Sequence, residues 1–256
     1  MPSILVACEH WLLQYRRTWR GTLTSSILAP LLYLATLGLG LGASFDLQVQ
    51  AHTQRVDYVV FVAPGLLAGW ALQTAAEVSA YPVATAMRMD RTYHGMASSP
   101  VGYRGAYAGH LAFIALRVAI NCAIFLAVLG ALGIVTSWWA VVALFVAVLT
   151  GMSCAAPILA FSAAITRDAS LTTLTRLVVT PLFLFSGIFY PVSVFPTVLQ
   201  WLISVTPLWN GAELCRQLMT GHADLRPALL HLLVLGCYLL LGTVAAERMF
   251  KRRLTL

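Results

Sequence analysis

The chain has 256 residues, of which 60% are hydrophobic and 10% are charged, and its mean hydropathy is +0.83. Soluble domains contain about 25% charged residues, so this composition excludes an ordinary soluble globular protein and is typical of an integral membrane protein. The formal net charge is +7 at pH 7. Because the cations lie between apolar stretches, we expect them to set membrane topology and expect no nucleic-acid partner.

An N-terminal amphipathic stretch, residues 3–20, comes first. Ile4, Cys8, Trp11 and Tyr15 recur every three to four residues, and polar side chains occupy the other side. This pattern predicts an interfacial helix that lies on the membrane surface.

Charge-free windows predict six transmembrane helices in an all-α membrane protein. The predicted spans are residues 21–45, 58–76, 105–128 (interrupted by Arg117), 136–166, 177–190 and 227–246. With a cytoplasmic N-terminus, the cations outside the spans lie inside except Arg55, Arg216 and Arg226, which agrees with the positive-inside rule. The arginine distribution therefore predicts that both termini are cytoplasmic, with residues 1–256 forming a single transmembrane domain.

A second amphipathic stretch, residues 82–95, lies between spans two and three on the predicted cytoplasmic side. Pro82 suits a helix start and Gly95 a helix end, and Arg88 and Arg91 lie on a different stripe from the apolar residues. Such a helix either seals the edge of the bundle or docks into a groove of another protein. The pattern leaves both open.

Two groups of polar residues are candidates for a functional or structural role. Arg117 lies about 12 residues into span three, near mid-membrane, with Asn121 one turn beyond it and Glu77 as the nearest acidic candidate. An interhelical ion pair is favoured over contact with cargo. Glu213 and Arg216, three residues apart, are favoured as solvated charge; the other interpretation is that they hold the re-entrant piece over residues 191–212 in place.

The longest proline-rich apolar run, residues 177–212, has the wrong length for regular spans. It is too long for one crossing and too short for two with a turn. It contains Pro181, Pro191, Pro196 and Pro207. Prolines break helices, and broken helices at membrane depth survive only inside protein or beside a water-filled path. We expect a fifth span followed by outer re-entrant helices over residues 191–212, beside a transport route or its gate.

Ser153 and His231 are the residue types of intramembrane proteases, but they differ in depth by about 20 Å along straight helices. The other histidines show no metal-ligand spacing, so no metal site is predicted.

The order and spacing of several segments resemble ABC-2 type transporter permease subunits. The matching segments are YVVFVAPG at residues 58–65, MDRTYHGM at 89–96 with Ser99-Pro100 following, and TPLFLFSG at 180–187 followed by Pro191, Pro196, Pro207 and Arg216. The likeness covers nearly the whole chain and is greatest to exporters of nodulation factors and anthracyclines, of the NodJ and DrrB kind.

This resemblance implies a permease that forms a homo- or heterodimer and binds two ABC ATPase subunits. Residues 3–20 would be the connecting helix and residues 82–95 the coupling helix, with substitution of Arg91 or Tyr93 uncoupling transport. The coupling residues so implied are Met87, Arg88, Asp90, Arg91, Thr92 and Tyr93. The implied gate candidates, which could instead be packing or lipid-facing aromatics, are Phe185, Phe189, Tyr190, Phe195 and Trp201.

The sequence supplies an independent check on where ATP binds. A phosphate-binding P-loop needs Gly-x-x-x-x-Gly-Lys-Ser/Thr, but the only lysine, Lys251, precedes Arg252. We therefore expect no cofactor on this chain and no enzyme activity of its own, with ATP and Mg²⁺ on the partner ATPase.

The expected function is export of an amphipathic, lipid-linked or drug-like molecule across the inner (cytoplasmic) membrane. The alternatives are an ATPase-independent secondary transporter or channel, in which Glu77 and Arg117 carry protons or ions, and an intramembrane enzyme.

Overall fold

The computed structural model describes residues 2–36, 48–51, 54–135, 137–167, 169–221 and 224–255, and these residues are almost entirely helical. The first helix, α1, spans Pro2–Leu34. An antiparallel hairpin of β1 (Gln48–Ala51) and β2 (Gln54–Asp57) follows, with Gln48 opposite Asp57. The sequence analysis did not predict this hairpin, which falls in the short loop expected after span one.

The next helices follow in chain order. They are α2 (Tyr58–Ser79), α3 (Tyr81–Arg88), α4 (Thr92–Ala97), α5 (Gly102–Ala131) and α6 (Ala140–Ala164). A continuous helical stretch is then made of α7 (Ala169–Leu174), a π-helical turn (Thr175–Val179) and α8 (Thr180–Phe185). The last elements are a 3₁₀ turn (Val192–Val194), α9 (Thr197–Ser204), α10 (Pro207–Thr220) and α11 (Leu225–Leu254).

Within the described residues, four helical stretches are long and apolar enough to cross a membrane. They are Tyr58–Arg88, Gly102–Ala131, Ala140–Ala164 and Leu225–Leu254, and Ala169–Phe185 is a shorter apolar helix. The four long stretches coincide with predicted spans two, three, four and six, and the shorter helix coincides with predicted span five. The prediction of a helical membrane protein is confirmed; predicted span one lies partly outside the described residues.

The central helix of the molecule is α2, in which 17 of 22 residues are buried. A helix that is hydrophobic on all sides is stable only when other elements surround it, and α2 packs against α5, α6 and α10. One end of α2 follows the hairpin, and the other leads through Ala80 directly into α3. This helix therefore connects the two ends of the molecule.

Residues 3–15 of α1 pack lengthwise along α5, in parallel. Gly105 lies beside Ser3 and Gly109 beside Ala7, and farther along the Arg117 guanidinium lies over the Tyr15 ring. The predicted helix over residues 3–20 is therefore the first part of the longer helix α1, and its contacts with α5 run from Ser3 to Tyr15. Glycines four residues apart allow this close approach, and that spacing was a signal which the sequence analysis missed.

Replacing Gly109 with alanine is expected to separate α1 from α5 and to cost about 1–3 kcal/mol. A Cβ at this position would overlap the Ala7 Cβ and lie 3.0 Å from the Cys8 backbone nitrogen. The matched control is Gly130→Ala in the same helix, where a Cβ meets no atom within 4 Å. Thermal unfolding in detergent should show a loss of stability for the first variant only, and equal losses would contradict the packing argument.

The fifth apolar helix ends at Phe185, and the chain then turns repeatedly. The 3₁₀ turn follows Pro191, α9 follows Pro196, and α10 begins at Pro207. Three of the four identified prolines therefore stand at the start of a helical piece, since proline suits the first position of a helix and cannot continue a preceding one. The fourth, Pro181, lies inside the continuous helical stretch.

Candidate functional site

The segment between α2 and α5 forms two short helices instead of the single helix predicted over residues 82–95. Between α3 and α4, Arg91 has a φ of +49°. Non-glycine residues rarely adopt this left-handed conformation, which cannot continue a right-handed helix. A sharp turn therefore divides the predicted helix.

We call Met89, Asp90, Arg91 and His94 the α3–α4 turn; all four side chains are exposed. Asp90 and Arg91 were predicted as coupling residues, whereas Met89 and His94 were not. Met89 is 73% exposed, and methionine and arginine are both enriched at protein interfaces. The turn therefore presents an apolar side chain between charges of both signs, as a protein-binding surface does.

The other predicted coupling residues do not face outward in this way. Arg88 is half-buried, and its Nη1 donates a hydrogen bond of 2.6 Å to the carbonyl of Thr166, just beyond α6. Thr92 is also half-buried, and Met87 and Tyr93 are buried. The structure corrects the last two assignments, because buried side chains cannot contact a partner protein.

Tyr93 lies in an aromatic cluster that joins four helices. Its ring centroid is 4.9 Å from Phe250 of α11, 5.7 Å from Trp11 of α1 and 5.9 Å from His110 of α5. Burial raises the pKa of the Tyr93 hydroxyl well above its ordinary value. This residue therefore anchors α4, and movement of the α3–α4 turn is mechanically connected to α1, α5 and α11.

A groove of about 690 Å³ lies between α1 and the α3–α4 segment. Its lining residues are His10, Trp11, Leu13, Gln14, Arg17, Tyr81, Pro82, Thr85, Ala86, Asp90 and Thr92. A concave surface of mixed polarity beside an exposed turn is suited to receive a segment of another protein. The sequence analysis missed this groove because its two walls are far apart along the chain.

Arg216 forms the centre of a buried junction, although solvated charge was the favoured interpretation. Its Nε donates to the Phe61 carbonyl at 3.2 Å, its Nη2 to the Gly187 carbonyl at 2.9 Å, and its Nη1 to Glu213 Oε2 at 2.5 Å. The guanidinium carbon also lies 4.1 Å from the centroid of the Phe61 ring. The Arg216 junction therefore fastens α10 to α2 and to the end of the fifth apolar helix. Neither carbonyl belongs to residues 191–212, so the second interpretation stays a prediction.

Two glycines allow the backbone to approach this junction. Gly187 has a φ of +71°, and a Cβ there would lie 2.8 Å from a methyl carbon of Val192. On α2, a Cβ at Gly65 would lie 3.2 Å from the Ile188 Cα and 3.4 Å from Arg216 Nη2. The Phe-Ser-Gly sequence at residues 185–187 thus ends in a glycine because the turn and the close packing both require one.

The structure brings only part of the predicted gate aromatics together. Phe185 and Phe195 meet edge to face, with ring centroids 6.0 Å apart. Phe189 is buried, and its carbonyl accepts a hydrogen bond from the Tyr58 hydroxyl at 3.2 Å. Tyr190 and Trp201 are exposed. Phe189 is therefore a packing residue, and the other four remain gate candidates.

The polar residues predicted inside the spans are arranged differently from the expectation. Asn121 Nδ2 donates to Thr74 Oγ1 at 3.0 Å, which joins α5 to α2. Arg117 is buried, and its guanidinium carbon lies 4.0 Å from the centroid of the Tyr15 ring. Glu77 is exposed and forms no ion pair with Arg117 in the described part of the chain. A cation–π contact thus stands where the ion pair was favoured.

Comparison with known proteins adds an independent line of support. The family model for the ABC-2 type transporter matches residues 4–220. The chain belongs to this family. It is similar to Nodulation protein J of Rhizobium meliloti (strain 1021), with 27% identity over 253 residues that cover 96% of this chain and 94% of the relative. The Neorhizobium galegae protein of the same name is 27% identical, covering 100% and 97%, and that of Rhizobium leguminosarum bv. trifolii is 28% identical, covering 96% and 94%.

An ABC-2 type permease is the membrane component of a transporter and is not itself the catalytic subunit, and the family generally works with an ABC ATPase. Ser153 and His231, the residue types found in intramembrane proteases, form hydrogen bonds with other residues in this permease. Ser153 donates a hydrogen bond to the Thr150 carbonyl at 2.8 Å, whereas His231 Nδ1 lies 2.8 Å from Asn210 Oδ1. The two residues therefore have separate partners.

Proposed function

We propose that this permease is the transmembrane subunit of an ATP-driven exporter that moves an amphipathic, lipid-linked or drug-like molecule across the cytoplasmic membrane. The observation that carries the proposal is the exposed α3–α4 turn beside its groove, attached directly to the buried helix α2. Force applied by a partner at this turn would reach the centre of the bundle without a flexible connection. The Nodulation protein J relatives support the assignment to a transporter subunit.

The proposed topology has six spans, with both termini and the α3–α4 turn on the cytoplasmic side. The α3–α4 segment and the basic end of α11 both contact the same end of α6, which supports this placement. Arg88 donates a hydrogen bond to the Thr166 carbonyl, and Arg253 donates one to the Ala164 carbonyl. Cations near the last carbonyls of a helix are favourable, and basic residues collect on the cytoplasmic side.

The proposed assembly is a dimer of permease subunits, identical or different, on two ABC ATPases that hold the ATP and Mg²⁺. The α3–α4 turn and the groove would receive the ATPase. The broken helices over residues 191–212 would cap the exit on the opposite side, where helix pieces can be accommodated inside protein or beside water.

Affinity purification of the full chain from its native membrane tests the proposal. A P-loop ATPase should be retained by the wild-type chain and lost when Met89, Asp90 and Arg91 are replaced together by Gly-Ser-Gly, a change confined to exposed residues. The matched control replaces the exposed residues Trp138 and Trp139, which precede α6. Vectorial transport by the purified chain alone in liposomes would overturn the proposal in favour of a secondary transporter or channel.

A further inference from the structure

Arg117 is a buried cation in the middle of a membrane-spanning helix. It lies 15 residues from the start of α5, which corresponds to about 22 Å along a helix of about 45 Å, and its exposed fraction is 3%. Removing a charge from water at such a position costs several kcal/mol unless other groups compensate. The Arg117 guanidinium therefore needs neighbouring groups that compensate its charge.

Compensation within the described residues is incomplete. The Tyr15 ring supplies a cation–π contact, worth about 0.5–2 kcal/mol, but the buried Nη1 of Arg117 has no hydrogen-bond partner there. Carboxylates near other helix ends are engaged elsewhere, Glu213 by Arg216 and Glu247 by Arg104. Among the described residues, no carboxylate forms an ion pair with Arg117.

The same face of α5 carries a second unsatisfied polar atom. Asn121, one turn beyond Arg117, is buried, and its Oδ1 has no hydrogen-bond partner among the described residues, while its amide nitrogen is held by Thr74. A cation and a free acceptor one turn apart match a headgroup that has an anionic group and a neighbouring hydroxyl.

The cover over Arg117 is thin and borders an apolar surface. Tyr15 is only half-buried, and on the same helix Leu12 and Leu13 are exposed. An alkyl chain lying along α1 would meet the exposed Leu12 and Leu13 side chains there.

We infer that Arg117 binds the anionic group, a phosphate or carboxylate, of an amphipathic molecule that enters between α1 and α5, with Asn121 accepting a hydrogen bond from the same headgroup. The anion neutralises the buried cation, with which no carboxylate among the described residues forms an ion pair. The inference rests on the proposed export function only if the bound amphiphile is the cargo. A membrane phospholipid has the same headgroup chemistry and would bind in the same way. Binding of either molecule can be measured without an ATPase.

The test uses the full-length chain in nanodiscs of zwitterionic phosphatidylcholine and a photoreactive hexadecyl phosphate as the probe. Wild-type protein is expected to be labelled on the α1 and α5 peptides that contain Tyr15 and Arg117. Arg117→Met should weaken probe binding at least tenfold, Arg117→Lys should weaken it less, and Arg16→Met, which removes an exposed cation one residue from Tyr15, should leave it unchanged. A neutral photoreactive hexadecanol should show no preference for this site.

A second arm adds 20% phosphatidylglycerol to the nanodiscs. Complete competition would identify a phospholipid as the occupant, and persistence of probe binding would identify a free anionic amphiphile; both outcomes support the inference. Labelling of wild type elsewhere, or equal loss in the Arg117→Met and Arg16→Met variants, would overturn it. The labelling map needs no variant, so it decides the question even if Arg117→Met does not fold, and ATPase co-purification stays a separate result.

Discussion

Replacing Arg216 with methionine is expected to destabilise the permease by about 3–5 kcal/mol and to abolish transport. Removing one partner of a buried pair leaves the other charge uncompensated, and here the Phe61 and Gly187 carbonyls also lose their donor. The segment after the fifth apolar helix should lose its fixed position, because the Arg216 guanidinium joins the Gly187 carbonyl at the start of that segment to the Phe61 carbonyl of α2. Thermal unfolding in detergent and transport in proteoliposomes measure the two effects.

The matched control is Arg226→Met, which removes an exposed arginine near the start of α11. It should change stability by less than about 0.5 kcal/mol. The double variant Glu213→Gln/Arg216→Met should recover part of the lost stability, since no unpaired buried carboxylate is then left. Equal melting temperatures for Arg216→Met and Arg226→Met would show that the junction does not hold the segment.

The spanning helices could be predicted from the sequence because hydropathy alone determines them. Helices α2, α5, α6 and α11 are long and apolar enough to cross a membrane, and each must satisfy its own backbone hydrogen bonds in lipid. The direction of α1 could not be predicted in this way. An apolar stripe suits either a membrane surface or a protein groove, and Gly109 decides between them only through its contact with Ala7.

The candidate site was predicted as a segment but not residue by residue. Arg91 and Tyr93 are two positions apart in one amphipathic pattern, yet one is exposed and the other fully buried. The difference depends on Trp11, His110 and Phe250, which are distant along the chain. The left-handed conformation of Arg91 has no sequence signal, since glycine or asparagine would be the usual residue there.

The burial of Arg216 could not be predicted from the sequence. Charge counting placed it outside the membrane with Arg55 and Arg226, and only the fold shows two backbone carbonyls and Glu213 converging on it. From the prolines one could predict where the helical pieces over residues 191–212 begin. Which residue holds these pieces together depends on tertiary contacts and could not be predicted.

Replacing Arg91 with glycine is expected to reduce ATP-dependent transport at least tenfold while leaving the fold intact. Glycine accepts the φ of +49° without strain, so this variant removes the exposed cation at no backbone cost. Loss of one partner of a charge pair buried at a protein interface costs about 2–5 kcal/mol, and a loss of about 1.4 kcal/mol already corresponds to a tenfold effect. Transport in proteoliposomes and retention of the ATPase on the tagged chain measure the effect, and Arg91→Glu should reduce both further.

Tyr93 supplies the contrast that separates coupling from folding. Tyr93→Ala should lower stability by about 3–5 kcal/mol, because the ring is buried among four helices, whereas Tyr93→Phe should be nearly neutral since the hydroxyl has no hydrogen-bond partner among the described residues. Arg248→Gln, which removes an exposed cation from α11, controls for general loss of charge. If Arg91→Gly transports normally, or if its melting temperature falls as far as that of Tyr93→Ala, the α3–α4 turn is not the surface through which the ATPase acts.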